Sequence, residues 1–222
     1  MTRGHNIKLQ PCHDDHHATD AYQYPSIEFF RGVAANWWWQ RADSLMTFNW
    51  SNASPNLCQK VGATPGPASQ RQAYHEIGTP QTLQGKDKMF VVQRRGGYPW
   101  AKGYFNHNDD AALPLELPAD GGLRSVQIRI GDHVSVNPLR IKQVVLRLIM
   151  FRAEASNSID VYLNGVPLSR DVRDDDWKDR QIFSPRPQPA SGGANRWKIN
   201  PIQKLSRLDY KVTPRLCKLG LN

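Results

Sequence analysis

The first fifty residues alternate between short apolar runs and polar clusters. Two strand-like runs, at 5–10 and 44–48, flank a segment in which apolar residues recur every three or four positions over 27–38. That spacing predicts an amphipathic helix with Ser26 as its N-cap, an end near 40–42, and an apolar face wide enough to cover a sheet. Strand, helix and strand in this order form the repeating unit of a (β/α)-barrel, although two strands cannot close one.

A second helix and a connector complete this first part of the chain. Residues 70–77 have the composition of a short helix, which Gly78 and Pro80 end, and 82–88 follows as a connector. We therefore predict that residues 1–88 form the end of a (β/α)-barrel with two strands and two helices.

After the connector the hydrophobic period changes to two, which is typical of β-strands. Strand-like runs lie at 89–93, 126–130 and 144–151, with a short late one at 210–212. The run at 144–151 is apolar almost throughout, which predicts a central strand. Asn164-Gly165 between two short apolar runs predicts a hairpin with a type I′ turn. We therefore predict that residues 89–222 form an antiparallel β-sandwich or jelly-roll-like domain, and that the chain as a whole is α+β.

Polar residues follow both predicted strands of the barrel segment, at the position where barrel proteins carry their functional groups. Carboxylates, imidazoles and amides can hydrogen-bond sugar hydroxyl groups, and a Trp ring can pack against the apolar face of a sugar. The candidates for contacting a saccharide are His13, Asp14, Asp15, His16, His17, Asn49 and Trp50.

Other interpretations of these residues stay open. The first cluster has the side chains of a divalent-metal site, but adjacent residues of an extended chain point in opposite directions, so at most two or three could converge on one ion. It could equally be an ordinary polar loop, and Trp50 could pack beneath the loop that follows it. We predict neither a metal nor a cofactor.

Hydrolysis of a glycoside needs two carboxylates that face each other across the scissile bond. No Glu follows a predicted barrel strand, and only Asp14 and Asp15 stand at such a position. The sequence therefore assigns no catalytic residues, and we expect this chain to be inactive alone. Its four Glu are Glu28, Glu76, Glu116 and Glu154.

The net charge of +9 lies mostly in the second part of the chain. Residues 1–90 contain eight Lys/Arg and seven Asp/Glu, and residues 91–222 contain the other 21 and 13, a net charge of +8. A basic surface attracts nucleic acids and other polyanions. Because these charges are dispersed among apolar positions, they favour a solvated basic face over a nucleic-acid site.

The remaining features leave the location of the protein open. There is no run of about eighteen apolar residues, which predicts no membrane-spanning helix, and the N-terminal residues lack the apolar core of a signal peptide. The three cysteines, Cys12, Cys58 and Cys217, are widely spaced and are expected to be free thiols. The last residues have the composition of a turn before a further strand, which leaves open whether the C-terminus is complete.

Several motifs together resemble a known type of protein. Gln-Pro-Cys-His-Asp at 10–14, the segments 22–28 and 32–38, and Thr-Phe-Asn-Trp at 47–50 are similar to the last barrel units of bacterial glycoside-hydrolase-like proteins of the "family 10 glycosylhydrolase" type. His-Glu-Ile-Gly-Thr-Pro at 75–80, with 86–88, resembles the linker that precedes their C-terminal β-sandwich, and 161–165 resembles a hairpin of that sandwich. The resemblance implies a carbohydrate-active ancestor of a mostly exported kind, without naming a substrate.

We therefore predict a truncated glycoside-hydrolase-like protein that contacts a polysaccharide or oligosaccharide through its barrel strand ends. The alternative is a non-catalytic carbohydrate-binding or interaction module carried by the β-sandwich. Because two strands leave much of the helix stripe uncovered, we also expect self-association through the exposed barrel surface and poor solubility of residues 1–85.

Overall fold

The computed structural model describes residues 5–14, 26–48, 67–92, 112–113, 115–136, 140–151, 153–177 and 205–222. In the first part of the chain, strands β1 (Cys12–Asp14) and β2 (Met46–Phe48) are joined through helix α1 (Ile27–Trp39), and helix α2 (Pro67–Glu76) follows. A single 3₁₀ turn at Gln81–Leu83 comes after α2.

The second part of the chain is built from short antiparallel sheets. Strand β8 lies between β4 and β7, β5 pairs with β6, and β3 pairs with β9. The α+β class is thereby confirmed at a coarse level. The strands are β3 (Arg129–Ile130), β4 (Val144–Phe151), β5 (Val161–Leu163), β6 (Val166–Leu168), β7 (Arg170–Asp174), β8 (Leu205–Val212) and β9 (Gly220–Leu221).

Strands β1 and β2 are parallel, with Cys12 opposite Met46 and Asp14 opposite Phe48. The prediction of a strand at 5–10 is wrong in position, because regular pairing begins only at Cys12. Before Cys12, the backbone of Leu9 is hydrogen-bonded to the loop after α1. The Leu9 N–H donates to the Asp43 carboxylate, and the Leu9 carbonyl accepts from the Asp43 N–H. Cys12 and His13 therefore belong to the strand itself.

Helix α1 begins where the sequence predicted. The Ser26 hydroxyl accepts a hydrogen bond from the Phe29 N–H, which satisfies one of the free donors of the first turn. Of the predicted apolar stripe, Phe30 and Ala34 are buried, and Ile27 and Trp38 pack against them. The helix ends at Trp39, close to the predicted end.

The backbone of the second part lies directly against α1. A Cβ atom at Gly32 of α1 would stand 1.9 Å from the Met89 carbonyl oxygen, and a Cβ atom at Gly131 would stand 2.5 Å from the Ala35 carbonyl oxygen. Met89 also donates its N–H to the carbonyl of Glu28. Because neither glycine has a side chain, the Met89 carbonyl can lie against Gly32 and the Ala35 carbonyl against Gly131.

This contact changes the interpretation of the segment predicted as the first strand of the second domain. Residues 89–92 form no strand, so the prediction of a strand at 89–93 is wrong over these four residues, and Gln93 lies outside the described part. The segment follows α1, and Phe90 packs against two apolar clusters, one around Phe30 and one around Ile130. Lys88, whose side chain is buried, forms an ion pair of 2.6 Å with Asp132.

The antiparallel sheets confirm one local prediction and correct another. Asn164 and Gly165 have φ angles of 51° and 84°, as a type I′ turn between β5 and β6 requires. Strand β4, which we predicted to be central, lies at the edge of the described three-stranded sheet, and β8 is its centre. The sequence predicted only the end of β8 because Arg207 and Asp209 interrupt its apolar pattern.

The close approach at Gly32 can be tested by adding one methyl group. Gly32→Ala would normally stabilise a helix by about 1 kcal/mol, but here the methyl group meets a carbonyl, so we expect a loss of roughly 1–3 kcal/mol of unfolding free energy. Gly78→Ala is the matched control, because no atom lies within 4 Å of a Cβ there. Urea unfolding measures both variants, and an equally stable or more stable Gly32→Ala would contradict the packing.

Candidate functional site

The parallel pairing of β1 and β2 brings the ends of both strands to one edge of the sheet. Asp14 is opposite Phe48, so the chain leaves both strands at the same level. The predicted residues Asp15, His16, His17, Asn49 and Trp50 follow these two ends directly in sequence but lie outside the described residues, as does the side chain of Asp14. Their convergence on a ligand stays a prediction.

His13 is the predicted site residue whose side chain is described. Its ring lies against aromatic residues of α1, with ring centroids 4.8 Å from Phe30, 5.9 Å from Phe29 and 6.0 Å from Trp37. The ring is half-buried, on the face of β1 that the helix covers. The role of His13 as a sugar contact stays a prediction. In that role, only the ring edge that α1 leaves uncovered could reach a ligand.

The opposite face of the two-stranded sheet is apolar and exposed. Side chains alternate between the faces of a strand, so Met46 and Phe48 point away from the face on which Thr47 pairs with His13. Phe48 is 52% exposed and Met46 is 45% exposed. Cys12, the cross-strand neighbour of Met46, is an exposed free thiol.

A buried ionic cluster between α1 and α2 is absent from the sequence predictions. Arg31 Nε donates to Glu76 Oε2 at 2.6 Å and Arg31 Nη2 donates to Oε1 at 3.3 Å. Gln72 Nε2 and Lys86 Nζ each reach Glu76 Oε1 at 3.0 Å, and Arg31 Nη1 donates to the carbonyl of Asp87. The cluster therefore joins both helices to the connector that follows them.

These donors determine the protonation state of Glu76. The hydrogen bonds from Arg31, supported by Gln72 and Lys86, outweigh the effect of burial and lower the pKa of Glu76 to about 2. A carboxylate that is ionised and held by three side chains cannot supply the proton that a glycosidase acid gives to its leaving group. Glu76 is therefore a structural residue.

The sequence did contain a signal for this cluster. Arg31 stands four residues after Ile27 and three before Ala34, and so within the apolar stripe of α1. A charge in a buried stripe requires a charged or polar partner. The identity of the partner could not be inferred, because Glu76 is 45 residues away in sequence.

The three consecutive tryptophans at the end of α1 lie on different sides of the helix, because neighbouring helical residues point in different directions. Trp37 and Trp38 are half-buried, and Trp38 donates its indole N–H to the Ile77 carbonyl at 2.8 Å. Trp39 is exposed and lies beneath the Arg129 guanidinium, 5.8 Å from its Cζ. These rings thus hold α1 to α2 on one side and to β3 on the other.

Comparison with known proteins gives no identification of the site. No family model matches the chain, and no curated protein matches it significantly. Within the described ranges, no three His, Cys, Asp or Glu side chains are grouped so that they could hold a metal ion. In that same part of the chain, no helix has both the length and the apolar character needed to cross a membrane.

The Glu76 cluster predicts a specific dependence of stability on pH. Because the pKa of Glu76 is about 2 in the folded chain and 4.5 for the free side chain, its stabilising contribution is complete above about pH 4.5 and is lost as the pH falls toward 2. Glu76→Gln leaves Arg31 without a charged partner, so it should cost roughly 3–5 kcal/mol at pH 7. That difference should shrink by about 2–3 kcal/mol at pH 2.5.

Urea unfolding at pH 7 and pH 2.5 measures this difference, with Glu116→Gln as the matched control because Glu116 is exposed. The control should leave stability within about 0.5 kcal/mol of the original at both pH values. A Glu76→Gln effect of equal size at the two pH values would show that the ionised carboxylate is not what stabilises the cluster.

Proposed function

We propose that this chain is part of a glycoside-hydrolase-like protein that contacts a polysaccharide or oligosaccharide and does not hydrolyse it alone. The contact surface is formed by the residues that end and follow β1 and β2. They are His13, Asp14, Asp15, His16, His17, Asn49 and Trp50.

One observation carries this proposal. The β1–α1–β2 unit is parallel and in register, with Asp14 opposite Phe48, so both strands end at one edge of the sheet, and polar residues follow each end in sequence. In (β/α)-barrels, the residues that contact substrate lie at this carboxyl edge. We propose that the carboxyl edge of β1 and β2 contacts the ligand in the same way.

The finer architecture belongs to the same proposal. We take β1, α1, β2 and α2 as part of a (β/α)-barrel, which is supported by the parallel pairing and by the packing of α1 against α2. We take the second part as a β-sandwich, which is supported by an apolar cluster to which β3, β4, β5 and β8 all contribute.

We propose that the chain self-associates through the face of the β1–β2 sheet that carries Met46 and Phe48. Parallel strands normally have both faces covered, whereas Met46 and Phe48 are about half exposed here. Ile7 and Leu9, which precede β1, are also exposed. Burial of these side chains against other copies would remove apolar area from water.

The alternative function, a non-catalytic carbohydrate-binding module carried by the second part, is favoured by a different observation. Trp177, directly after β7, lies beside the Arg147 guanidinium, with its ring centroid 5.9 Å from Cζ. An aromatic ring beside a hydrogen-bonding cation is a combination that can bind saccharides.

The proposed contact surface is tested by binding to a panel of soluble neutral polysaccharides, with affinity gel electrophoresis as the measurement. We expect at least one of them to slow the protein, and Trp50→Ala to weaken that binding by about tenfold through loss of ring packing. Tyr162→Ala is the matched control, because Tyr162 is an exposed aromatic residue of β5.

We expect no release of reducing sugar in the same samples. Binding that Trp50→Ala leaves unchanged would contradict the proposed surface. Hydrolysis by the chain alone would contradict the absence of activity.

A further inference from the structure

The side-chain amide of Asn164 joins the β5–β6 hairpin to the C-terminal segment of the chain. Asn164 Nδ2 donates to the Leu216 carbonyl at 2.8 Å and to Asn222 Oδ1 at 3.0 Å. Leu216 ends the single 3₁₀ turn Pro214–Leu216, and Asn222 follows β9. One NH₂ group therefore holds both ends of the segment 216–222, and it uses both of its hydrogens to do so.

Asn222 in turn holds the rest of this segment. Its Oδ1 also accepts from the Lys218 N–H at 2.6 Å, and its Nδ2 donates to the carbonyls of Lys218 and Gly220. The backbone N–H and carbonyl of Asn222 are both paired with Ile128, which precedes β3. The position of Asn222, and with it the pairing of β9 with β3, therefore depends in part on the Asn164 amide.

The segment covers part of the apolar cluster around Ile130. Cys217 is 2% exposed and belongs to this cluster, and Leu216 packs against it. Cys217 is a free thiol. Opening of the segment would therefore expose both the cluster and a thiol that the folded chain keeps away from solvent.

The residue that follows Asn164 makes its side chain susceptible to deamidation. In this reaction, the backbone nitrogen of the next residue attacks the side-chain carbonyl carbon, and Gly165 has no side chain to hinder that approach. Both residues are exposed, and among the described residues no atom lies within 4 Å of a Cβ at Gly165. Water therefore reaches the site, and the turn has room to rearrange.

The reaction balances with water as the co-reactant. The Gly165 nitrogen forms a bond to Cγ of Asn164, the bond from Cγ to Nδ2 breaks, and the proton of the Gly165 nitrogen leaves with ammonia. Water then opens the resulting succinimide ring at one of its two carbonyl carbons, which gives aspartate or isoaspartate. The net change is hydrolysis of an amide to a carboxylate, without an oxidant or a reductant.

We propose that Asn164 is a deamidation site, and that its hydrolysis releases the segment 216–222 from the β5–β6 hairpin. The product carboxylate has no hydrogen to donate, and it faces two oxygen atoms, the Leu216 carbonyl and Asn222 Oδ1. A negative charge in place of the donor repels both acceptors. Because the hydrolysis is not reversed, the loosened form accumulates with the age of the protein.

Rotation of the Asn222 amide does not compensate for this loss. It would offer an NH₂ group to the new carboxylate, but it would also turn that group toward the Lys218 N–H, which now donates to Oδ1. The rotated Oδ1 would face the carbonyls of Lys218 and Gly220, which now accept from Nδ2. The hydrogen bonds of the segment therefore fit an amide at position 164 and not a carboxylate.

The modification is tested by incubating the folded full chain at mildly alkaline pH, digesting it at acidic pH and measuring the peptides by mass spectrometry. Asn157 is the internal control, because it is exposed but is followed by Ser158. We expect Asn164 to convert at least about tenfold faster than Asn157, since Gly165 leaves the attack unhindered. Conversion of Asn164 no faster than that of Asn157 would overturn the proposal.

The structural consequence is tested with Asn164→Asp, which carries the charge of the product. We expect iodoacetamide to alkylate Cys217 about tenfold faster than in the original chain, because the segment opens more often. Mass spectrometry locates the label, and alkylation of the exposed thiol of Cys12 should stay unchanged. Asn164→Gly, which suits the positive φ angle of 51° and adds no charge, should speed alkylation of Cys217 by a smaller factor.

Asn157→Asp is the matched control for the change in charge. Asn157 Oδ1 accepts from the Glu154 N–H at 2.8 Å, and a carboxylate can accept the same hydrogen bond. We therefore expect this variant to leave the alkylation rate of Cys217 within about twofold. Equal rates for Cys217 in Asn164→Asp and in either Asn157→Asp or the original chain would show that the Asn164 amide does not hold the segment, and would overturn the inference.

Discussion

The rest of the structure depends on one constraint: the backbone at Met89 and the backbone at Gly131 lie directly against helix α1. Because Gly32 has no side chain, the Met89 carbonyl lies directly against the helix, and Gly131 lies in the same way against the Ala35 carbonyl. Neither approach tolerates a Cβ atom, so the extended segment after the connector and the turn after β3 are held at fixed positions on the helix. Phe90 then packs against the clusters around Phe30 and Ile130, so that both parts of the chain meet around one short segment.

The same helix positions the proposed contact edge. Its aromatic residues cover the His13 ring, and the Asp43 carboxylate beyond its end holds the backbone of Leu9 next to β1. The ionic cluster of Arg31 and Glu76 fixes α2 on the opposite side. This buried ion pair therefore stabilises the arrangement of the two helices.

The features that could be predicted from the sequence are those that local chemistry determines. The Ser26 cap and the Asn-Gly turn depend on a few adjacent residues, and both are found as predicted. Strand β8 was largely missed because its outer face is charged, and the role of Gly32 depends on a segment more than fifty residues away. For the candidate site, the parallel pairing brings the ends of β1 and β2 to one edge, as the predicted strand–helix–strand unit requires. Periodicity alone did not show that His13 packs against α1.

Native-state hydrogen exchange tests the central claim, that α1 and the second part of the chain unfold together. The comparison is between the amides of α1 and those of β8, which lie in different parts of the molecule. If the contacts at Gly32 and Gly131 join the two parts, both sets should open with the same free energy, within about 1 kcal/mol. Exchange of the α1 amides by a separate opening, several kcal/mol below that of β8, would contradict the account.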